Sequence, residues 1–162
     1  MTGIILREDR PDDFDFIAAR QAMLYACDYD WDGTYEALAA KILKAYAAKR
    51  DPSRERGWVA EIDGEMVGSV FVMREDETTA RLRLLHVEKA AQGQGLGRKL
   101  VRQCTEFAKA AGYQRMVLWT QSTLLPARKL YADEGYRLIK SEPHHSFGHD
   151  LVGETWELSL RS

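Results

Sequence analysis

The run Val87-Glu88-Lys89-Ala90-Ala91-Gln92-Gly93-Gln94-Gly95-Leu96-Gly97-Arg98-Lys99-Leu100-Val101 ends one pattern and begins another. Before it stands an apolar run, Leu82 to Val87. After it Leu96, Leu100, Val101, Cys104, Phe107 and Ala108 recur at helical spacing. Gly93, Gly95 and Gly97 alternate between the two patterns. Glycines so placed let the backbone turn tightly and let another molecule touch bare N–H groups. The first turn of the following helix leaves amide hydrogens without internal partners and carries partial positive charge. Strand, glycine turn and helix start together make a cradle for an anion, best suited to phosphate or pyrophosphate, which Arg98 and Lys99 could reinforce.

The spacing is not the G-x-G-x-x-G of a dinucleotide fold, because position 98 is Arg, and no Gly-Lys-Ser/Thr follows to make a Walker loop. Gln92-x-x-Gly95-x-Gly97 instead resembles the acetyl-CoA pyrophosphate loop of the GNAT superfamily of N-acetyltransferases, written Gln/Arg-x-x-Gly-x-Gly/Ala. Further on, Ala127-Arg128-Lys129-Leu130-Tyr131-Ala132-Asp133-Glu134-Gly135-Tyr136 resembles that family's Ala-x-x-Leu-Tyr-x-x-x-Gly-Phe/Tyr segment. The two motifs stand in the order and in the kind of element that the resemblance requires.

The flanking chain supplies the rest of such a fold. Gly3 to Arg7 reads as a strand, ended by the turn Arg10-Pro11-Asp12-Asp13, with Asp12 or Asp13 available as a helix cap. Phe14 to Ala26 is helical, with Phe14, Ile17, Ala18 and Gln21 near one face. The acidic, aromatic turn Asp28 to Gly33 breaks it and is poor core material. Thr34 caps a second helix, Tyr35 to Lys49, and Pro52 keeps it from continuing. Trp58–Ile62 and Met66–Met73 are strands around the hairpin signal Asp63-Gly64. Thr78–Val87 delivers the chain to the glycine loop. After the helix that Gly112 ends come a strand, Met116–Thr120, and a helix, Leu124–Glu134. Closing strands follow at Tyr136–Lys140 and Thr155–Leu160, with a long His-rich polar loop, Ser141 to Gly153, between them. The strands either side of the glycine-loop helix are expected to be parallel. The fold class is α/β (α+β): a GNAT-like mixed, mostly antiparallel sheet of about seven strands with helices on both faces, one acetyltransferase domain over 1–162.

The resemblance implies roles for individual residues. Tyr131 would protonate or stabilise the thiolate expelled when a thioester is aminolysed. Leu85, His86 and Val87 would offer main-chain groups to the pantetheine arm, with the Leu85 N–H a donor to the thioester oxygen. Gln92, Gly93, Gln94, Gly95, Leu96, Gly97 and Arg98 would hold the pyrophosphate. Two positions depart from the family pattern. Leu124 stands where many members have Asn. Eleven positions before Gln92, where histone-type members place a glutamate base, stands Arg81, which cannot accept a proton. A water relay, Glu75 or Glu77 is left for that role.

Strand alternation puts Arg81 and Arg83 on one face with Leu85 and Val87, where two guanidinium groups would favour an acceptor bearing a carboxylate or phosphate. The turn from Tyr25 to Trp31 would border the acceptor site, with Asp28 or Asp30 attracting a cation. His144, His145 and His149 fit no usual zinc spacing, so no metal is expected. The run Glu142 to Trp156 also resembles the acetyltransferase half found fused to MarR-type regulators, with no winged-helix segment ahead of it.

Composition narrows the field of partners. The chain has 162 residues, 45% hydrophobic and 30% charged, with a formal net charge of -2, so no global field attracts nucleic acid or an anionic membrane. No apolar run approaches membrane-spanning length, and Arg7 to Arg10 interrupt any signal-peptide core. Two cysteines, Cys27 and Cys104, form no framework and suit a reduced cytoplasmic setting. The reading is transfer of acetyl from acetyl-CoA, a co-substrate, to a small-molecule or peptide amine, by direct attack. A homodimer through the edge near the last strands is open. The rival reading is a non-catalytic acyl-CoA sensor or interaction domain.

Overall fold

Seven strands form one sheet in the computed structural model, which describes residues 3–160; positions 1–2 and 161–162, the ends of the expected domain, lie outside the described residues. In chain order the elements are β1 (Ile5–Glu8), α1 (Phe14–Tyr29), α2 (Thr34–Lys49), β2 (Arg56–Ile62), β3 (Glu65–Arg74), β4 (Thr79–Val87), α3 (Leu96–Ala110), β5 (Arg115–Gln121), α4 (Leu125–Asp133), β6 (Arg137–Ser146) and β7 (His149–Ser159). The strand order is β1-β2-β3-β4-β5-β7-β6, and only β4 and β5 pair in parallel. This is the mixed, mostly antiparallel sheet expected from the sequence.

Helices cover both faces. The apolar stripe of α3, Leu96, Leu100, Val101, Cys104 and Ala108, is buried against Val70, Val72, Leu82, Met116 and Leu118. On the other face Ile17 and Ala18 of α1 and Ala39, Leu43 and Tyr46 of α2 pack on Val59, Phe71 and Met73. Leu100 and Leu43 are almost wholly buried, so truncating either to Ala costs about 2–5 kcal/mol.

Two irregularities shape the site. First, the parallel pairing of β4 and β5 stops at Arg81 opposite Val117, although β4 runs on to Val87 and β5 to Gln121. Beyond that point the strands part and leave a wedge. Second, β4 carries a bulge. Register passes from Phe71 opposite Arg83 to Ser69 opposite His86, so Leu84 and Leu85 together face the one residue Val70, and Leu84 has φ 55°. The extra residue reverses the alternation of side chains. Arg81 and Arg83 therefore lie opposite Met73 and Phe71, on the α1–α2 face, while Leu85 and Val87 pack toward α3. The expectation that all four share a face is corrected by this one inserted residue.

The polar loop expected from Ser141 to Gly153 is instead most of a long hairpin. β6 and β7 pair from Arg137 opposite Glu157 to Ser146 opposite His149, around the two-residue turn Phe147-Gly148. β6 is the sheet edge and nearly all exposed, so it lacks the apolar alternation that marks a half-buried strand. Pro143 is tolerated there because an edge strand has amides to spare. Phe147 and Gly148 both take positive φ, 57° and 85°, as a type I′ turn requires.

Candidate active site

The glycine loop presents its amides as the sequence suggests. Gly93 and Gly95 have φ 80° and 78°, the left-handed conformation that glycine enters at little cost. Lys99 N–H donates to the Gly95 carbonyl at 3.1 Å, but the amides of Gly93, Gln94, Gly95, Leu96, Gly97 and Arg98 find no acceptor among the described residues. Side chains brace the turn from behind: Gln92 Nε2 donates to the Val87 carbonyl and Gln94 Nε2 to that of Ala90, each at 3.2 Å. The Leu96 side chain is core, and a Cβ on Gly97 would come within 3.1 Å of Leu130 on α4. The Arg98 guanidinium leans toward Asp133 and Glu134 at 3.6 and 3.4 Å, so its amide rather than its charge faces the cradle.

These amides open on a cleft of about 670 Å³ lined by Leu85, His86, Val87, Gln92, Gly93, Gly95 to Arg98, and by Gln21, Tyr25 and Tyr29 of α1 across the way. A second cavity, about 320 Å³, fills the wedge between β4 and β5. It is walled by Arg81 to Leu85, Leu118 to Gln121, Tyr131, Tyr25, Trp31, Tyr35 and Phe147. Leu85, Tyr25, Leu124 and Ala127 belong to both, so the two spaces adjoin at the bulge.

Sequence reasoning missed what holds the bulge. Gln21, 1% exposed, donates Nε2–H to the Leu84 carbonyl at 2.7 Å and accepts the Tyr35 hydroxyl on Oε1 at 2.7 Å. A polar residue on the buried stripe of a helix was its only sequence signal. His86 has more than a main-chain part: its buried ring bonds Ser69 Oγ through Nδ1 at 3.0 Å and Glu88 through Nε2 at 2.9 Å, and Glu88 is gripped by Arg20. Burial lowers the His86 pKa, against the pull of Glu88.

Tyr131, 6% exposed, borders the wedge and packs 5.8 Å from Tyr136. Burial, then the nearby Tyr25, holds its phenol well above the ordinary value, so it keeps its proton at any working pH. Its helix is tied to β7 by a half-buried ion pair, Arg128 to the buried Glu154 at 2.8 Å. Tyr25 is likewise pushed up by burial, to about 12. Trp31 is buried, a correction to the reading of its turn as poor core material. It lies between Tyr25 at 4.5 Å and Phe147 at 4.7 Å, both stacked, because the β6–β7 tip folds back over the α1–α2 turn. Leu124, where many members have Asn, is buried in the same cluster.

The charged candidates separate. Arg81 is paired with Glu75 and Arg74 with Glu77, and neither glutamate lines the wedge. Asp28 pairs with Lys89 at 2.7 Å, and Asp30 faces His149 at 3.6 Å. Neither aspartate lines the wedge, so the expected attraction of a cation has no carboxylate there. His144 bonds Gln121 and Ser146, and His145 bonds Asp150. Among the described residues no three His, Cys, Asp or Glu are placed to hold a metal ion. Cys104 is fully buried and its thiol is pushed up by burial, which removes it as an acyl acceptor.

The mixed seven-stranded sheet and the amide-lined cleft after its fourth strand agree with the family that the two motifs resemble. Residues 14–136 match the Acetyltransferase (GNAT) family, and the chain belongs to it. N-acetylaspartate synthetase of Danio rerio is 36% identical over 98 residues, 60% of this chain and 34% of that protein. N-acetyltransferase 8B of Homo sapiens is 38% identical over 85 residues, 49% of this chain and 37% of that protein. This chain thus spans about a third of the length of these curated relatives. Among solved structures, yncA of Salmonella typhimurium, determined with its cofactor acetyl-CoA, superposes with a TM-score of 0.76 at 20% identity, covering 99% of this chain and 95% of that one.

Proposed function

We propose that this chain transfers acetyl from acetyl-CoA to a primary amine. The observation that carries the reading is the run of uncovered amides, Gly93 to Arg98, opening on a cleft that meets a second cavity at Leu85. The co-substrate supplies an acetyl group activated as a thioester. The amides of Gly93 to Arg98 bind its diphosphate, and the edge of β4 from Leu85 to Val87 lines its arm. The Leu85 N–H stabilises the carbonyl oxygen as it gains charge. The amine nitrogen forms the new C–N bond as the C–S bond breaks. Tyr131 gives its proton to the departing sulfur and is reprotonated from solvent, while the amine's surplus proton leaves through water, since no carboxylate lines the wedge.

That lack of a carboxylate favours a second reading, a non-catalytic acyl-CoA sensor. Thiol release from acetyl-CoA with a panel of amines separates the two. Release with at least one amine supports transfer; saturable coenzyme binding without release supports the sensor; no binding of coenzyme in calorimetry removes both. The narrower kinship with the acetyltransferase half of MarR-type fusions rests on the run Glu142 to Trp156. Two free cysteines, Cys27 and Cys104, support a cytoplasmic setting. The β6 edge, where Leu138 and Ile139 are exposed, is the surface for a homodimer. A net charge of -2 gives no reason for a nucleic-acid or membrane partner.

A further inference from the structure

The wedge cavity has an unusual charge balance. Among the described residues Arg81 and Arg83 are the only formally charged ones lining it, and no Asp or Glu borders it. Arg81 is neutralised by Glu75. Arg83, only partly exposed, has no hydrogen bond and no ion pair among the described residues. A guanidinium stays charged in a protein, and a half-buried charge without a partner is costly. Burial and then the neighbouring Arg81 act against its charged form, with Glu75 only partly offsetting them. The other walls are mostly apolar or aromatic, Leu38, Ile42, Tyr25, Trp31, Trp119 and Phe147 among them, with Thr120 and Gln121 as polar neighbours.

A simple amine enters such a place badly. It arrives as an ammonium ion, meets the unpaired guanidinium of Arg83, and finds no carboxylate lining the cavity to offset its own charge. A molecule that brings its own carboxylate solves both problems, since the planar guanidinium can take two carboxylate oxygens side by side. A phosphate dianion would leave one negative charge uncompensated among aromatic walls. Resting on the acetyltransferase reading above, we propose that the acceptor is a primary amine carrying one carboxylate and an apolar body, an apolar α-amino acid or near relative, with its carboxylate on Arg83.

The test compares pairs that differ only by the carboxylate: L-phenylalanine against 2-phenylethylamine, and L-leucine against isoamylamine. With acetyl-CoA saturating, kcat/KM is expected to be about ten- to a hundredfold higher for each amino acid, the worth of one charge-assisted pair. Arg83→Met should bring the members of each pair within threefold of one another, chiefly through a higher KM for the amino acid, and Arg83→Lys should restore part of the preference. Equal rates in the wild type, or preference for the bare amine, overturn the proposal. Calorimetric titration of the CoA-loaded protein gives a readout that needs no turnover: saturable L-phenylalanine or L-leucine binding, lost with Arg83→Met, supports it, and no saturable binding of either overturns it. A parallel titration with acetyl-CoA alone decides the acetyltransferase reading separately.

Discussion

Gln21→Met tests whether the bulge in β4 is held for chemistry. The substitution keeps the volume but removes both hydrogen bonds of a side chain that is 1% exposed. The Leu84 carbonyl is left with only Ser69 Oγ at 3.5 Å, and the Tyr35 hydroxyl loses its acceptor. Two orphaned groups cost about 1–3 kcal/mol each, offset by about 1–2 kcal/mol from burying an apolar chain in place of an amide. A net loss of about 2–3 kcal/mol lowers Tm by about 5–10 °C for a chain of this size. The larger effect falls on turnover. If the Leu84 carbonyl pins the Leu85 N–H where the thioester oxygen lies, kcat falls by about 10²–10³, the worth of one such donor. Acetyl-CoA affinity, which the proposal assigns to the amides of Gly93 to Arg98, should change less than about threefold, since Gln21 hydrogen-bonds Leu84 and Tyr35 and none of those amides. Gln21→Glu is the companion: once ionised at high pH its carboxylate accepts from Tyr35 but cannot donate to Leu84, so there it should share the loss of kcat, while its protonated form at lower pH can donate and should keep more of it. Stopped-flow thiol release and coenzyme titration read the two quantities. A destabilised Gln21→Met that keeps wild-type kcat refutes the link between this glutamine and the donor.

Other expectations follow from the same geometry. Tyr131→Phe should lower kcat by about 10²–10⁴ with little change in coenzyme affinity; because the wild-type phenol is held protonated, rate profiles from pH 6 to 9 should show no alkaline loss due to it, and such a loss abolished by Tyr131→Phe would contradict this. Gly95→Ala places a Cβ in open space at φ 78°, so the strain of about 1 kcal/mol should weaken acetyl-CoA binding about fivefold in calorimetry. His86 has a folded pKa below its unfolded value of about 6.5. The unfolded chain therefore takes up a proton that the folded one refuses, and stability falls as pH drops through about 6.5. His86→Gln should flatten Tm against pH in that window; an unchanged slope would show that His86 does not set it. Phe147→Ala empties one side of the Trp31 stack and should raise KM for the acceptor more than for acetyl-CoA in steady-state assays.

The strand, glycine turn and helix of the proposed coenzyme side were legible because they are contiguous. Leu82 to Val101 carries strand, glycine turn and helix stripe in one stretch, and each segment is written in its own periodicity. The acceptor side was not. The bulge has no local mark, since Leu84 and Leu85 read as ordinary strand residues, and the reversal of faces at Arg83 arises only when β3 is laid beside β4. Phe147 looked like part of a polar loop because the edge strand before it has no buried face. The burial of Trp31 in its turn was not legible because its stacking partners, Tyr25 and Phe147, come from separate elements, one of them over a hundred residues away.

The folding back of the β6–β7 tip ties together ends of the chain that are otherwise independent: Asp32 N–H donates to the Phe147 carbonyl at 3.0 Å, and the His149 ring bonds the Asp30 carbonyl at 2.8 Å. On the proposed reading, the amides that grip the coenzyme lie in one short consecutive segment, while the acceptor cavity draws on two distant ones. A lineage could rewrite positions 31–35 or 144–149, whose Trp31, Tyr35 and Phe147 line the wedge and not the cleft, and change which molecule is modified while the proposed donor loop stays as it is. Swapping those two segments together, rather than singly, is the route by which such a scaffold would be re-aimed in the laboratory.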